Sequence, residues 1–435
     1  MAVSRKKAKK AAKKKPATKK AAKKKTKAKK KGAPTLTKRQ RVMAIRDGIN
    51  KVTKGRARMS LGSDYVLPWL TLRRPTGILS LDIACRGGLP AGAPVQIIGK
   101  PQVGKTYLSN RIIAETQKHY GDDFAAAVAM TEGRYQKDFA KFICGVRTAY
   151  SEEEIEELEA VEYLCNPNFE GFTADELDFF RDQVGMGVSE IVGGTAEDLY
   201  EAVLVAIQSK EFQIVVIDSI GALLTKLEDE GEMRDKTRGG AAAVNTQFMH
   251  KYSALLTDLD ETGRANETTV IFINQYRVVL NQSKFATGPR SEMSVTGGYA
   301  IQHGKMLDIE LAPGKLLTEG EGDTYRRIGK VVNWEITKQK AGGHEGHRGH
   351  YNHMHGIGAD VVDDLVGVGL GIGVVEMASA WHSLMNPHGE ELLKAQGREK
   401  FCEALREEPD MQAYIRDEAL RRAEIRCRYG PLAKN

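Results

Sequence analysis

The stretch Val95–Tyr107, VQIIGKPQVGKTY, decides the fold of this chain. A short apolar run breaks at Gly99, and a helical pattern begins after Thr106. Between them lies the pattern G-x-x-x-x-G-K-T, preceded by a strand and followed by a helix, the setting that a phosphate-binding loop requires. Glycine lets the backbone bend so that successive N–H groups surround a polyphosphate, and the following helix directs its positive end at the anion. A chance glycine turn would not carry all four fixed positions with these flanks, so the stretch predicts a nucleoside triphosphate site.

The residue types of the loop predict how the nucleotide is held. Lys105 can reach the outer phosphates, and the Thr106 hydroxyl can ligate Mg²⁺. The loop residues expected to contact the nucleotide are Gly99, Lys100, Pro101, Gln102, Val103, Gly104, Lys105, Thr106 and Tyr107.

Composition limits the class of protein. The chain has 435 residues, of which 41% are hydrophobic, enough for one large core with smaller appendages. No apolar run approaches the roughly 18 residues of a membrane span, and the first residues lack the apolar region of a signal peptide. The five cysteines are scattered without a C-x-x-C pair. A reduced, intracellular protein without a structural zinc site is therefore expected.

The net charge of +8 conceals two opposed parts. Residues 1–40 hold 17 Lys and 2 Arg without an acid, whereas the remaining 395 residues carry 46 basic and 57 acidic groups, a net charge of −11. Residues 1–36 are too charged and too poor in large apolar side chains to form a core, so we expect a disordered tail. Its composition resembles histone-like tails that bind DNA phosphates without sequence preference. A solubilising or localisation role is the alternative.

Hydrophobic periodicity predicts the domain organisation. Residues 37–70 begin with an amphipathic helix, and strands alternate with helices through much of the core expected over residues 71–385. Such alternation with mostly apolar strands predicts an α/β fold, a largely parallel sheet with helices on both faces. The segment at about 150–187 is predicted to be an insertion of unassigned role. Residues 386–435 are charged, and we expect a small helical unit there.

Further apolar runs of the core end in polar side chains. They end at Glu132, at Asp218-Ser219 and at Asn274-Gln275. In open α/β sheets, ligands bind beyond the carboxyl ends of the strands. Asp218 is therefore expected to hold Mg²⁺ directly or through water, Glu132 to orient the attacking water, and Gln275 to sense the γ-phosphate. A single strand-end acid is often structural, but this series favours a hydrolase.

The motifs together resemble those of a known family, the bacterial RecA recombinases and their phage relatives, over roughly residues 41–385. The similar segments are PTGILSLDIACRGGLPAG before the loop, VVIDSIGALLTKLEDEGE, IFINQYR, TGGYAIQ, ITKQKAG and VEMASAWHS. The resemblance implies a RecA-like ATPase core that uses ATP and Mg²⁺. It also implies that Glu132 is the catalytic glutamate and Gln275 the γ-phosphate sensor.

The family resemblance also implies an assembly. Lys338 and Lys340 match two lysines that reach the ATP of the neighbouring subunit, so the active site would be composite. The helix at 40–54 matches the element that docks onto the adjacent protomer. DNA-binding loops are implied near Gly231–Gly240 and Tyr276–Gly298.

Several positions depart from the family pattern. Gln136 replaces an acidic residue against the adenine, Phe139 replaces a tyrosine, and Ala243 and His250 stand where arginines are expected. Phe139 and Ser219 complete the expected nucleotide contacts. DNA contact is expected instead from the tail and from Arg234, Lys236, Arg238, Arg277, Lys284, Arg290, Gly297 and Gly298.

The segment 344–355 holds five of the ten histidines. Imidazole is a common metal ligand, but no Cys or acidic partner other than Glu345 supports a metal site. A polar loop or a subunit interface is the favoured interpretation.

These observations favour an ATP-dependent recombinase, cytoplasmic and DNA-associated, that forms a helical filament on single-stranded DNA and pairs it with duplex DNA. A DNA-binding scaffold or recombination mediator without strand exchange is the alternative. A hexameric helicase-type ATPase is disfavoured, because the 41–54 helix and the lysine pair resemble the filament family. No membrane association is expected.

Overall fold

The computed structural model describes residues 37–52, 68–133, 135–147, 187–231, 240–257, 265–278, 293–295, 297–320 and 324–430. The chain divides into two compact units, residues 1–64 and residues 65–435. The lysine-rich tail, nearly all of the 150–187 insertion and most of both implied DNA-binding loops lie outside the described residues.

In the first unit, the predicted amphipathic helix is present as α1, Lys38–Val52. Its start is capped reciprocally, because Gln40 N donates to Thr37 Oγ1 at 3.2 Å and Thr37 N donates to Gln40 Oε1 at 2.9 Å. The apolar side chains of Ile45 and Val52 are 56% and 83% exposed.

The second unit is an α/β structure. Its helices are α2 Pro68–Thr71, α3 Leu79–Ala84, α4 Lys105–Tyr120, α5 Ala196–Ser209, α6 Lys226–Asp229, α7 Gly240–Leu256, α8 Gly298–Gly304, α9 Val361–Ile372, α10 Arg398–Arg406 and α11 Pro409–Arg422. Its strands are β1 Arg73–Arg74, β2 Leu89–Pro90, β3 Pro94–Gly99, β4 Ala125–Met130, β5 Gly187–Ile191, β6 Ile214–Asp218, β7 Thr269–Val278, β8 Met293–Val295, β9 Leu307–Glu319, β10 Arg326–Gln339, β11 Arg348–Met354, β12 Gly358–Ala359, β13 Val375–Ala378, β14 Trp381–Met385 and β15 Glu391–Gln396. In the part of the chain that the structure describes, no helix is both long and apolar enough to cross a membrane.

One large sheet organises this unit, in the order β12-β11-β10-β9-β3-β7-β6-β4-β5, with β8 paired to β7. The six strands from β9 to β5 are parallel throughout. Strands β10, β11 and β12 extend the sheet in antiparallel fashion. The predicted mostly parallel α/β fold is confirmed, with an antiparallel extension on one side.

Apolar side chains cover both faces of this sheet, because successive residues of a strand point to opposite sides. In β6, Val216 belongs to the cluster that includes Leu108 of α4. Val215 and Ile217 belong to the cluster on the other face, which includes Phe248 of α7. Every residue of β6 is buried, as expected for a central parallel strand.

The C-terminal region contains a sheet that the sequence analysis did not predict. Strands β13, β14 and β15 form an antiparallel sheet, so residues 386–435 are not purely helical as expected. A turn explains the difference: Asn386 N donates to Glu390 O and Gly389 N donates to Asn386 O, which returns the chain as a hairpin into β15. Helices α9, α10 and α11 bury Val366, Phe401 and Ile415 in one shared core with this sheet.

The segment after α11 returns to the start of β1. Arg428 bridges Leu72 in parallel fashion, with Arg73 N donating to Arg428 O at 2.9 Å and Arg428 N donating to Thr71 O at 2.8 Å. The Arg428 guanidinium pairs with Glu267 at 3.1 Å. This return anchors the C-terminal helices at β1.

Candidate nucleotide site

The sheet order brings the predicted strand ends together. Strands β3, β7, β6 and β4 are successive neighbours and run in the same direction. Their carboxyl ends therefore lie along one edge, where the phosphate loop, Gln275, Asp218 and Glu132 are found. This edge is the candidate site, the place where open α/β sheets bind ligands.

Two glycines allow the loop its path. A Cβ at Gly99 would lie 2.4 Å from the Leu311 carbonyl oxygen of β9, so no side chain fits there. Gly104 has φ of 112° and is the residue immediately before α4. The loop therefore passes close to the sheet and then directs the first turn of α4 at the site.

Lys105 is buried within this loop. Its Nζ donates to the carbonyl oxygens of Gly99 at 3.2 Å and Lys100 at 2.9 Å. Burial lowers the pKa of Lys105, and the nearby carboxylates of Asp218 and Glu132 oppose that shift. The loop thus holds the Lys105 ammonium at its centre, where it could pair with the negative charge of a polyphosphate.

Thr106 and Asp218 form the pair expected to bind Mg²⁺. The Thr106 hydroxyl donates to Asp218 Oδ2 at 2.7 Å, so a hydroxyl and a carboxylate converge at the start of α4. Burial raises the pKa of Asp218, and the hydrogen bond from Thr106 partly offsets it. Mg²⁺ prefers oxygen ligands and commonly binds one or two protein groups together with substrate phosphates. The residues therefore fit this ion.

Glu132 is held by two other strand ends. Ser219 Oγ donates to Glu132 Oε1 at 2.6 Å, and Gln275 Nε2 donates to the same oxygen at 3.0 Å. Ser219 itself is fixed to β4, because Ser219 N donates to Thr131 Oγ1 at 2.8 Å and Thr131 Oγ1 donates to Ser219 O at 2.7 Å. Ser219 thus contacts the Glu132 carboxylate, and its contact with the nucleotide stays a prediction.

Lys338 and Lys340 lie at the end of α8. Lys338 Nζ donates to the carbonyl oxygens of Gln302 at 2.5 Å and His303 at 3.2 Å, and Lys340 Nζ donates to that of His303 at 3.0 Å. Burial, together with the Lys340 charge, lowers the pKa of Lys338 to about 8. The structure thus places both lysines on a helix terminus, not on the phosphate loop of the same chain.

A buried polar network joins the sensor strand to this helix terminus. Asn274 Nδ2, next to Gln275, donates to Gln96 Oε1 at 3.3 Å, and Gln96 Nε2 donates to Asp308 Oδ1 at 3.0 Å. The other oxygen of Asp308 accepts from Lys305, the residue after α8, at 2.5 Å. Side chains of β7, β3 and β9 are therefore linked from the candidate site to α8.

Of the implied DNA-binding residues, Gly297 and Gly298 have a described environment. The Gly297 carbonyl accepts from Asn245 Nδ2 at 3.0 Å, and a Cβ at Gly298 would lie 3.1 Å from that of Ala242. The second loop therefore ends against α7, the helix that comes after the first loop. For Arg277 only the backbone, within β7, is described. Arg234, Lys236, Arg238, Lys284 and Arg290 lie outside the described residues.

The predicted aromatic Phe139 lines a cavity of about 260 Å³ beside the phosphate loop. Lys330 and His353 line the same cavity, although the sequence analysis did not select either as a ligand contact. The alternation of side chains along the strands could have indicated these two residues. Tyr351 and His353 lie on the same face of β11, and Lys330 lies on the same face of β10 as the buried Val332. The packing of this strand pair against the loop could not be read from the sequence alone.

The histidine-rich segment shows no metal site. Among the described residues, no group of three or more His, Cys, Asp or Glu could hold a metal ion. His344 and His347 have ring centroids 6.2 Å apart, and His350 and His353 lie on β11. A polar loop or a subunit interface stays the prediction for this segment.

Sheet order, phosphate loop and strand-end side chains define a RecA-like α/β protein. Residues 182–342 match the family model described as RecA N-terminal domain. Protein RecA of Paracoccus denitrificans is 29% identical over 360 residues, 82% of this chain and 83% of its own length. Protein RecA of Thermus aquaticus is 29% identical over 357 residues (80% and 85%), and that of Geobacter metallireducens is 29% identical over 368 residues (84% and 90%). The chain resembles the RecA recombinases over about four fifths of its length, and the predicted resemblance is confirmed.

Proposed function

We propose that this protein is an ATP-dependent recombinase that forms a filament on single-stranded DNA, pairs it with homologous duplex DNA and exchanges strands. The observation that carries the proposal is the convergence of Ser219 and Gln275 on Glu132 beside the Thr106–Asp218 pair. The similarity to RecA proteins supports a DNA-dependent ATPase that uses ATP and Mg²⁺. Such a protein would be cytoplasmic and DNA-associated.

In this proposal Glu132 orients the attacking water. Its carboxylate is exposed and anchored through Oε1, and it accepts the proton or polarises the water as the phosphoryl group transfers. Lys105 neutralises charge on the outer phosphates. Thr106 and Asp218 would hold Mg²⁺, and the bound ion would supply positive charge that neutralises the phosphates.

Gln275 is the proposed sensor. Its amide donates to Glu132, and a γ-phosphate oxygen is a competing acceptor of higher charge. Transfer of this hydrogen bond to the phosphate would move the end of β7, which leads into the second implied DNA-binding loop. Nucleotide binding and DNA binding would thereby be coupled.

Lys338 and Lys340 are proposed to act on the ATP of a neighbouring subunit. Their ammonium groups are held by neutral carbonyls of α8. A charged phosphate is a stronger acceptor than a neutral carbonyl, so assembly would draw the lysines away from α8. The exposed apolar side chains of Ile45 and Val52 on α1 suit the proposed docking onto an adjacent protomer.

Two measurements decide between the proposed activity and its alternatives. Strand exchange between a circular single strand and a linear duplex, with ATP and Mg²⁺, should yield joint molecules. Electron microscopy with single-stranded DNA and a slowly hydrolysed ATP analogue should show helical filaments. Filaments without joint molecules would favour a mediator or scaffold, and closed rings would favour a helicase-type ATPase.

A further inference from the structure

The cavity beside the phosphate loop has the chemistry of a nucleoside pocket. Its lining includes Gln102, Thr106, Tyr107, Phe139, Lys330 and His353. Phe139 offers an apolar aromatic face, whereas Tyr107 is buried, with its hydroxyl accepting from Ala359 N at 2.6 Å. Because the cavity adjoins the first turn of α4, a triphosphate in the loop would place its base toward this lining.

Lys330 is a second cation at the pocket, in addition to Lys105 of the phosphate loop. It pairs in register with His353 across β10 and β11, and its Nζ donates to the Gln102 carbonyl of the phosphate loop. One of the three ammonium hydrogens is thereby used, and two stay available for a ligand. The side chain is thus held at the loop by one contact while it lines the cavity.

His353 adds a ring that is not cationic at neutral pH. Burial, followed by the charges of Lys330 and His355, lowers the pKa of His353 to about 4. Its ring meets that of Tyr107 edge-on, with centroids 4.5 Å apart. Lys330 is therefore the positive group on this side of the pocket.

We propose that Lys330 reads the base edge of the bound nucleotide and favours a base that presents hydrogen-bond acceptors. A lysine ammonium donates and cannot accept. Guanine presents two adjacent acceptors, O6 and N7, whereas adenine presents N7 beside its N6 amino donor. The site should accordingly bind GTP and ITP at least as well as ATP. This inference rests on the proposed nucleotide site and specifies its ligand class.

The test compares full-length wild-type protein with Lys330→Met, which keeps the length of the side chain and removes its charge. Affinities for ATP, GTP, ITP, 7-deaza-GTP and tripolyphosphate would be measured by calorimetry with Mg²⁺. Lys315→Met, an exposed lysine on the neighbouring strand β9, is the matched control.

Lys330→Met should weaken GTP and ITP at least about tenfold, the effect of one charge-assisted hydrogen bond, and ATP distinctly less. 7-deaza-GTP should lose part of the wild-type affinity of GTP. An equal loss for all nucleotides and tripolyphosphate would overturn the proposal, because Lys330 would then act on the phosphates or on the loop. No change for any nucleotide would also overturn it. If wild-type protein bound none of these ligands, the proposed nucleotide site itself would fail.

Discussion

Ser219 Oγ lies 2.6 Å from Glu132 Oε1, the oxygen that Gln275 Nε2 approaches at 3.0 Å. Ser219 after β6 and Gln275 within β7 thus hold the carboxylate that lies just beyond β4, mainly through Oε1, and Gln275 Nε2 also lies 3.4 Å from Oε2. These hydrogen bonds fix the orientation of the carboxylate, and a fixed carboxylate can position a water molecule for attack. This relationship makes Glu132 the first residue to test.

Glu132→Gln should keep the binding of ATP and DNA and lose hydrolysis, since it removes the charge and keeps the shape. General-base or water-orienting groups contribute roughly 10²- to 10⁴-fold, so steady-state ATP turnover should fall at least about 100-fold. Glu201→Gln, an exposed acid on α5, is the control and should retain wild-type turnover. Hydrolysis near wild type in Glu132→Gln would place the catalytic carboxylate elsewhere.

Lys105→Ala should abolish nucleotide-driven activity, because the buried ammonium is the main side-chain partner of the outer phosphates. ATP turnover and ATP affinity measured by calorimetry would both drop. Lys118→Ala, near the other end of α4 and mostly exposed, should leave both unchanged. Undiminished turnover in Lys105→Ala would contradict the assignment of the loop.

The pKa of Lys338, about 8 and below its ordinary 10.5, predicts a pH dependence. Its ammonium deprotonates as pH rises through about 8, and a neutral amine does not bind phosphate as a cation. Movement of Lys338 from α8 to the phosphate of a neighbouring subunit then requires uptake of a proton, so assembly, and with it DNA-stimulated ATP turnover, should decline above about pH 8. Lys338→Arg, whose guanidinium stays charged, should move the decline to higher pH. Identical pH profiles would show that Lys338 does not control this step.

The lowered pKa of Lys338 affects folding stability in the opposite direction to activity: stability should increase with pH. The folded state disfavours the charged form, so between about pH 8 and 10.5 the unfolded chain binds more protons than the folded one. The contribution of Lys338 to the free energy of unfolding therefore increases with pH in that window, which means that the folded state becomes more stable. If deprotonation of Lys338 lowers activity between about pH 8 and 10.5, the loss of activity would therefore not be caused by unfolding.

Deletion of residues 2–34 should weaken DNA binding at low salt, because the body of the chain is net negative while the tail is basic. Released counterions give log K a slope of about −0.7 per neutralised phosphate on single strands, so the truncated protein should show a flatter salt dependence. Binding curves at several salt concentrations, for both proteins, would measure it. ATP affinity is the internal control and should not change. Equal slopes would mean that the tail serves localisation or a protein partner.

Features that arise from local patterns of residues could be predicted from the sequence. The phosphate loop and the polar residues Glu132 and Asp218 at strand ends appear in the structure, whereas β7 continues past Gln275 to Val278. Parallel order then places the strand ends together without further information. Their catalytic roles stay predictions.

Features that depend on contacts between distant elements could not be predicted in this way. The position of Lys330 at the loop requires the pairing of β10 with β11 and their packing against α4. The anchoring of Lys338 on α8 joins residues 36 apart through main-chain oxygens, which carry no side-chain signature. Strand β15 has no clear alternation of apolar and polar residues, because charged side chains such as Glu391 and Lys394 lie on its exposed face.

The bridge between Arg428 and Leu72 has a consequence for how the molecule comes apart. Through it, the segment after α11 supplies a backbone partner to the start of β1, and Tyr429 stacks on His119 of α4. The C-terminal helices cannot detach without exposing these groups to water. Heat or denaturant should therefore melt this region and the nucleotide site in one cooperative transition, whereas a detached appendage would melt by itself first.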